Sequence, residues 1–385
     1  MNIFKSLKLA ALSLLVCAGF TACSDDEPTP TPAPALRGQR GFYVLCQGNQ
    51  NQLDGTMEFF SSTDEASRTS NLFYTANQKS LGDSPQRPVL YGSKLYIPMF
   101  TEKKVWVVDA QTMHVLAEVS KPNANAGDRS EGPEAVCSDN GYVYIAYNDG
   151  TVTRMDTTAY QQSAPITVGP NPADIAAYDG KIYVSVSDYA NNYQNGLKVA
   201  QIDAASFEVA NQYTVGINPG QLAIDNSGNV FVVCRGNYGN VPSKVWEISA
   251  NGTIHEIGPG SIIAINNQNR TSRALGNSSV LYVLNVQTVY SSDYSSWTNT
   301  INSYKYNSLT RERIAEGFLD VNNLPINPTG IMDINPSTGD LYICSDASTD
   351  YNAYTTEGKI YIYSADGVFK EAITTGVHPY GVVFK

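Results

Sequence analysis

Hydrophobic and polar residues alternate in short runs along most of the chain, and the runs recur as a unit. Three units show the pattern best, beginning at Asn171, Asn218 and Asn327. Each reads as a strand, a tight Gly turn, a second strand rich in Val, Ile and Tyr, a variable loop, a third strand, a polar turn and a fourth strand. Alternation with period two between Asp, Asn and Gly turns is typical of antiparallel β-structure. No amphipathic helix of useful length is predicted.

A Pro or a Gly opens each unit, and these residues count the units. They are Pro88, Pro133, Pro172, Pro219, Gly260, Pro328 and Pro379. The unit at Pro379 has only its first strand, and the missing strands follow Gly41, so the two ends are predicted to pair and close a ring. The repeat predicts an all-β fold, a seven-bladed β-propeller over residues 41–385. Eight blades would require two units between Gly260 and Pro328, where only one is seen.

The residues before the repeat are predicted to be a targeting segment and a spacer. Residues 1–22 resemble a lipoprotein signal peptide: Lys5 and Lys8 precede an apolar run that is too short to span a bilayer. "FTAC" resembles a lipobox, which would make Cys23 the lipidated first residue; an ordinary cleaved signal is the alternative. Residues 23–40 form a Pro-rich extended spacer, and its acidic start resembles a surface-export signal or is plain linker. The expected location is the outer membrane, lipid-anchored and facing the exterior.

Composition narrows the classes of ligand. The 385 residues carry a formal charge of -11, only 16% are charged, and 25 are Tyr. Nucleic acids and anionic membrane surfaces require clusters of Lys and Arg, which are missing here. Cys46, Cys137, Cys234 and Cys344 lack the CxxC spacing of metal sites. They are predicted to be buried thiols, and a disulfide is the alternative because exported proteins can form disulfides.

Catalytic patterns are scarce, so the chain is predicted not to be an enzyme and to need no catalytic cofactor or metal. There are three His, and no nucleophile elbow, HExxH or phosphate-binding Gly loop. Several carboxylates follow strands in contexts that favour turn capping. They are Asp109, Asp156 and Asp203 after third strands, and Asp188, Asp293, Asp346 and Asp350 in the loops. For the four in the loops, the alternative is a general acid–base pair at the mouth of the ring. Trp106 and Trp246 share one repeat position and are predicted to pack between blades.

Strand direction locates the candidate site. The loops between second and third strands lie at the same end of the ring as the connections between blades, and five of them are long. The stretch "VYSSDYSSWTN", residues 289–299, is predicted to be part of such a loop. Tyr, Trp and Asn on loops of a rigid scaffold favour ligand binding, although the loops can also simply pack on one another. The predicted ligand-binding residues are Tyr189, Tyr193, Tyr238, Tyr290, Tyr294, Trp297, Tyr351, Tyr354, Asn192, Asn237, Arg235 and Arg129, the last together with Glu131.

Residues just before the unit openers are also expected at this mouth. Asn171, Asn218 and Asn327 are predicted to set turns before the first strands. Arg87 and His378 hold the equivalent place in two other units.

The repeat, written NPxxIxxxxGxIYV with VxxID further on, resembles the YVTN-type propellers. Together with the lipoprotein-like start, the chain resembles the surface cobalamin-binding lipoproteins of Bacteroidetes, the BtuG type. That resemblance implies capture of cobalamin and related corrinoids and their delivery to a TonB-dependent outer-membrane transporter of the BtuB type. Alternatives are a glycan-binding surface lipoprotein, a propeller lyase or lactonase, and a protein-interaction scaffold. Aromatic residues arranged in a line would favour a sugar ligand, and a broad ring of aromatic residues would favour a disc-shaped ligand. A ring of metal ligands or a His/Glu pair at the mouth would favour an enzyme.

Overall fold

The structure is a computed structural model that describes residues 36, 39–49, 51–62, 67–125, 129–194, 196–266, 279–321 and 324–385. The predicted signal peptide, Cys23 and nearly all of the predicted spacer lie outside the described residues. Within the described ranges, no helix is both long enough and apolar enough to cross a membrane.

The described chain is built from 28 strands. The first fourteen are β1 (Gly41–Cys46), β2 (Thr56–Ser61), β3 (Arg68–Thr69), β4 (Val89–Tyr91), β5 (Lys94–Met99), β6 (Lys104–Asp109), β7 (Val115–Ser120), β8 (Pro133–Asp139), β9 (Tyr142–Tyr147), β10 (Thr151–Asp156), β11 (Ile166–Thr167), β12 (Pro172–Tyr178), β13 (Lys181–Val186) and β14 (Lys198–Asp203). The others are β15 (Glu208–Thr214), β16 (Pro219–Ile224), β17 (Val230–Cys234), β18 (Lys244–Ile248), β19 (Ile254–Pro259), β20 (Ile262–Ile265), β21 (Val280–Tyr290), β22 (Trp297–Asn307), β23 (Glu312–Glu316), β24 (Asn327–Ile334), β25 (Leu341–Asp346), β26 (Glu357–Tyr363), β27 (Phe369–Val377) and β28 (Pro379–Phe384).

These strands form seven four-stranded antiparallel sheets, which confirms the predicted seven-bladed propeller. Six blades take four consecutive strands each, from β4–β7 to β24–β27. The segment between Gly260 and Pro328 holds a single blade, β20–β23. First strands are buried along nearly their whole length, whereas fourth strands such as β15 are mostly exposed. The core therefore lies between neighbouring blades and around the axis.

The remaining blade joins the two ends of the described chain. Its strand order is β28, β1, β2 and β3, and Phe42 pairs with Phe384 while Tyr43 pairs with Val383. The Phe42 ring stacks on Phe60 at 5.2 Å between centroids. The predicted pairing of the C-terminal strand with N-terminal strands is confirmed, and it covers the outward edge of β28 and the inward edge of β1.

A short helix, α1 (Leu72–Asn77), was not predicted from the sequence. Its Leu72 and Phe73 side chains are buried, and the Phe73 ring lies 5.2 Å from that of Trp106. Six residues are too few to show a helical period, and helices this short depend on tertiary contacts. Three turns of 3-10 helix, Arg129–Glu131, Tyr189–Asn191 and Tyr351–Tyr354, complete the helical elements of the described residues.

The capping role predicted for the carboxylates after third strands is confirmed. Asp109 Oδ1 accepts the backbone N–H of Thr112 at 2.8 Å, and Asp203 Oδ1 accepts that of Ser206 at the same distance. Asp156 Oδ1 accepts the N–H of Ala159 at 2.6 Å. The bond from Ala159 has the largest effect on Asp156 and the bond from Ser206 the largest on Asp203, and both lower the pKa of the carboxyl below its ordinary value.

The packing role predicted for the two tryptophans is also confirmed. Trp106 is buried and donates its Nε1–H to the carbonyl of Leu81 at 2.9 Å. Trp246 packs against a cluster drawn from two neighbouring blades. The four cysteines in the described residues are buried thiols and form no disulfide, which agrees with their interpretation as small core residues.

Ring closure can be tested with one substitution on β28. Val383 is 2% exposed and pairs with Tyr43 across the closing seam. We expect Val383→Asp to lower the free energy of unfolding by roughly 3 to 5 kcal/mol, because it leaves a charge without a partner at the seam. Urea unfolding followed by circular dichroism measures the change.

Val368→Asp is the matched control, since Val368 is 63% exposed in a turn of the neighbouring blade. We expect it to change stability by no more than about 0.5 kcal/mol. Equal losses in both variants would show that the seam has no special importance.

Candidate ligand-binding funnel

The long loops surround a set of adjoining cavities at one end of the propeller axis. The widest cavity has a volume of about 770 Å³, and narrower ones of about 320 Å³ and 200 Å³ continue from it. All three share Gln86 and Glu134 in their walls, so we describe them together as the funnel. The residues that line its widest part come from second-to-third-strand loops and from segments just before first strands, as strand direction predicts.

Aromatic side chains form two groups around this end, which we call the two arcs. Tyr193 and Tyr238 lie 6.2 Å apart, and both line the 320 Å³ cavity with Tyr189. In the second arc, the centroid of Tyr290 lies 5.9 Å from that of Tyr294 and 6.1 Å from that of Trp297. Trp297 in turn lies 6.3 Å from Tyr354, which reaches the wall of the widest cavity.

The prediction that residues 289–299 form a loop is confirmed for residues 291–296 and wrong for the residues on either side of them. β21 and β22, of eleven residues each, form a long hairpin in which Tyr290 pairs with Trp297, so only residues 291–296 form the turn. Residues 287–290 of β21 are exposed, and β22 alternates the half-buried Trp297, Asn299 and Ile301 with the exposed Thr298 and Thr300. None of these side chains is fully buried, so the extension lacks the buried apolar stripe that marks a strand in a sequence.

The residue before the Pro that opens a unit joins each of four blades to the loop end of the blade before it. Asn171 Nδ2 donates to Asn148 Oδ1 at 3.0 Å, and Asn218 Oδ1 accepts the hydroxyl of Ser187 at 2.7 Å. Asn171 and Asn218 have φ values of 48° and 59°, which confirms that they set turns there.

A contact at the same position of the repeat occurs, with other residues, in the blade β24–β27 and in the closing blade. Asn327 Oδ1 accepts the Nε1–H of Trp297 at 3.1 Å, and the His378 Nδ1 lies 2.9 Å from Asp346 Oδ1. Asn327 begins β24 instead of a turn, which corrects its predicted role. We call these four contacts the latches: Asn171–Asn148, Asn218–Ser187, Asn327–Trp297 and His378–Asp346. They hold the loop ends in fixed positions around the funnel.

A polar neck lies below the arcs, and sequence reasoning missed two of its main residues. Glu134 and Tyr380 each follow the Pro of their unit and line the narrower cavities with Arg235. Glu134 Oε1 accepts a hydrogen bond from Asn148 Nδ2 at 2.6 Å, and that amide also donates to the Tyr189 hydroxyl at 2.9 Å. The only signal in the sequence for these two residues is that each directly follows the Pro that opens its unit.

Burial controls the charge of this neck. It raises the pKa of Glu134 to about 7, against the opposing effects of the Asn148 hydrogen bond and the nearby Arg235. Burial also raises the pKa of Tyr380, so its hydroxyl stays protonated. Arg87 forms an ion pair with Asp333 in the same channel. The neck therefore offers one carboxyl that is partly protonated at neutral pH beside a permanent cation.

The predicted site residues divide into three groups. Five line the funnel: Tyr189, Tyr193, Tyr238, Arg235 and Tyr354. Tyr290, Tyr294 and Trp297 lie on the second arc outside the cavities, and Tyr351 is 63% exposed nearby. Other residues that line the widest cavity were not predicted, and they include Gln47, Asn49, Asn51, Gln86 and Phe100.

The remaining predicted contacts serve local structure or stay untested. Asn237 folds its own loop, accepting the N–H of Val241 at 2.9 Å, and Asn192 ends a 3-10 turn with φ 50°. Arg129 lies in the 3-10 turn Arg129–Glu131. Glu131 accepts a hydrogen bond from Lys121 at 3.3 Å.

The loop carboxylates fit turn capping better than acid–base chemistry. Hydrogen bonds led by the Ser291 hydroxyl lower the pKa of Asp293 to about 2. The Ser348 hydroxyl lowers that of Asp350 in the same way. Both stay ionised at neutral pH and are poor proton donors. Among the described residues, no group of three or more His, Cys, Asp and Glu is arranged to hold a metal ion.

A family model described as a domain of unknown function, DUF5074, matches residues 40–384. The chain belongs to this family. No curated protein matches the sequence.

Solved structures similar to this DUF5074 chain have varied names. A Bacteroides fragilis protein provisionally named a 6-phosphogluconolactonase is 13% identical, with 91% of this chain and 99% of that chain covered and a TM-score of 0.58. Hydrazine synthase of Kuenenia stuttgartiensis is 18% identical over 77% and 88% of the two chains, with a TM-score of 0.57. The structure of U3-55K is 9% identical, with 76% of this chain and 86% of that chain covered and a TM-score of 0.51. Identities this low show a shared fold alone.

The raised pKa of Glu134 predicts a pH-dependent stability. Between its ordinary pKa of 4.5 and its folded value of about 7, the folded protein keeps a proton that the unfolded chain has lost. The stability from this group is therefore complete below pH 4.5 and is lost as the pH rises to 7. From pH 5 to 8 we expect wild type to lose about 1 to 3 kcal/mol of unfolding free energy relative to Glu134→Gln.

Urea unfolding at a series of pH values measures this difference. Glu371→Gln is the control, because Glu371 is exposed on β27 and its pH curve should follow that of wild type. Parallel curves for wild type and Glu134→Gln would contradict the prediction.

Proposed function

We propose that this chain captures a corrinoid of the cobalamin type in the funnel and passes it to a TonB-dependent outer-membrane transporter. Binding and hand-over require no catalytic group, so the proposal includes that the chain is not an enzyme. The observation that carries it is the combination of two separate aromatic arcs with a wide, amide-lined funnel between them. The transporter and the outer-membrane location rest on the family resemblance and the predicted lipoprotein start.

Ligand chemistry fits the lining of the funnel. A corrinoid is a broad, roughly disc-shaped molecule of nearly neutral charge, fringed with amides. The widest cavity, about 770 Å³, is within the usual range for small-molecule sites and is lined by amide side chains such as Gln47, Asn49 and Gln86. Amides on the ligand can hydrogen-bond to these groups, and the tyrosines offer flat contact area.

The latches favour tight binding. Because Asn148, Ser187, Asp346 and Trp297 are already held by the following blade, the loop ends need little ordering when a ligand arrives. A site formed in advance loses less conformational entropy on binding.

The glycan alternative has weaker support. Sugar rings stack best on a flat, continuous aromatic platform. Neighbouring rings of the second arc are tilted by 37°, 53° and 41°, and the first arc lies in other blades. This distribution resembles the broad ring expected for a disc more than aromatic residues in line.

The enzyme alternative would use His378 and Asp346, the His–carboxylate pair at the mouth. Their contact occupies the same place in the repeat as the Asn171–Asn148 and Asn218–Ser187 latches. A structural role therefore accounts for the pair, and it gives no separate support for a lyase or lactonase.

Co-elution tests the capture proposal directly. The full-length chain, purified in detergent, is mixed with excess cyanocobalamin and passed over a size-exclusion column. We expect the visible absorbance of the corrin to elute with the protein at about one equivalent. Corrin absorbance only at the free-vitamin position would overturn the proposal.

Variants on each arc locate the site. Tyr238→Ala and Tyr294→Ala remove exposed rings, 74% and 67% exposed, one from each arc. We expect each to raise the cyanocobalamin Kd by about fivefold or more, as for truncation of aromatic contact residues. Tyr142→Ala is the control, since Tyr142 follows a tight turn at the opposite end of the propeller. Calorimetry measures all three.

Anchoring is tested at Cys23, which is predicted to carry the lipid. We expect Cys23→Ala to abolish incorporation of labelled palmitate and to move the chain from the membrane fraction to the soluble fraction. Cys17→Ala is the control, because Cys17 lies inside the predicted signal peptide and should leave labelling unchanged. Labelling that survives Cys23→Ala would contradict lipidation at this residue, and a wild-type chain that takes up no label would favour an ordinary cleaved signal.

A further inference from the structure

Arg235 is a cation without a partner at the neck of the funnel. The described residues give its guanidinium no hydrogen bond and no ion pair, although the group is only partly exposed. The other arginine of the neck, Arg87, is paired with Asp333. The five N–H donors of this partly buried guanidinium are therefore open to acceptors of a ligand.

The backbone aims this side chain inward. Arg235 directly follows β17, and its N–H donates to the carbonyl of Asn218 at 2.9 Å. The guanidinium lies across Gly220 of the first strand β16, where an added Cβ would come within 2.7 Å of Cζ and 2.9 Å of Nε. Gly220 thus leaves room for Arg235 to reach the axis instead of pointing out of the blade.

In the 320 Å³ cavity, the neighbours of Arg235 are donors or are close to neutral. The Asp174 carboxylate lines the adjoining 200 Å³ cavity, where it accepts the backbone N–H of Leu222 at 2.8 Å. Tyr380 and Tyr193 keep their protons, since burial raises the pKa of each. Glu134, the one carboxyl that shares the 320 Å³ cavity with Arg235, bonds to Asn148. That cavity is several times the roughly 30 Å³ share of one water molecule, so a small anionic group fits with solvent.

We propose that this side cavity is an anion subsite in which Arg235 binds a phosphodiester of the captured ligand. The inference rests on the proposed function, because cobalamin carries one phosphodiester in its nucleotide loop. Guanidinium binds phosphate oxygens through two parallel hydrogen bonds, and the Tyr380 and Tyr193 hydroxyls can donate alongside it. The subsite would distinguish complete corrinoids from those that lack the nucleotide loop.

Two ligands and two variants test the subsite. Cyanocobalamin has the phosphodiester, and dicyanocobinamide lacks the whole nucleotide loop. Using the full-length chain in detergent, we expect Arg235→Gln to weaken cyanocobalamin binding at least about tenfold and dicyanocobinamide binding less than about twofold. Arg235→Lys keeps the charge without the fork and should weaken cyanocobalamin binding by an intermediate factor. Calorimetry gives both constants, and thermal melts confirm that the variants fold.

The outcomes separate this inference from the capture proposal. If Arg235→Gln weakens both ligands equally, or weakens neither, capture stands and the anion subsite is overturned. If wild type binds neither corrinoid, the capture proposal fails and the subsite fails with it.

Discussion

Closure of the ring by β28 and β1 is the interaction on which the rest of this structure depends. Each blade buries its faces only against its two neighbours, so an open ring would leave one blade with a bare face and a free strand edge. The seam joins residues more than 330 positions apart, as in the pairing of Phe42 with Phe384. Bringing such distant segments together costs loop entropy, and the aromatic packing around Phe42 and Phe60 helps offset it.

Once the ring is closed, the latches extend its rigidity to the loops. They use one position of the repeat, the residue before the opening Pro, and each contacts the preceding blade. The chemistry changes from Asn171 to His378, but the geometry is kept. Loops on this scaffold can differ in length and sequence while their ends stay fixed, which is how a repeated fold supports a specific site.

The sequence predicted the features that repeat and failed where the repeat stops. Blade number, the closing strand and the capping of Asp109 all follow from local patterns that occur several times. The hairpin from β21 to β22 does not repeat, and no stripe of buried residues marks its exposed Tyr290 and its half-buried Trp297 as strand, so the sequence predicts a loop there. Glu134 and Tyr380 stand inside the repeat, yet whether a residue faces a channel depends on how seven sheets surround an axis. No periodic pattern in a single sequence indicates which residues face this channel.

Charge placement limits what the funnel can select. The chain carries a formal charge of -11, so a free anion is repelled at long range, although salt screens this beyond roughly 8 to 10 Å. Arg235 acts only after entry, because it lies at the neck beneath the arcs. The arrangement therefore favours a ligand that is nearly neutral as a whole and carries a local negative group. In the proposed capture, the aromatic and amide contacts would bring such a molecule in, and the short-range cation would then fix its orientation.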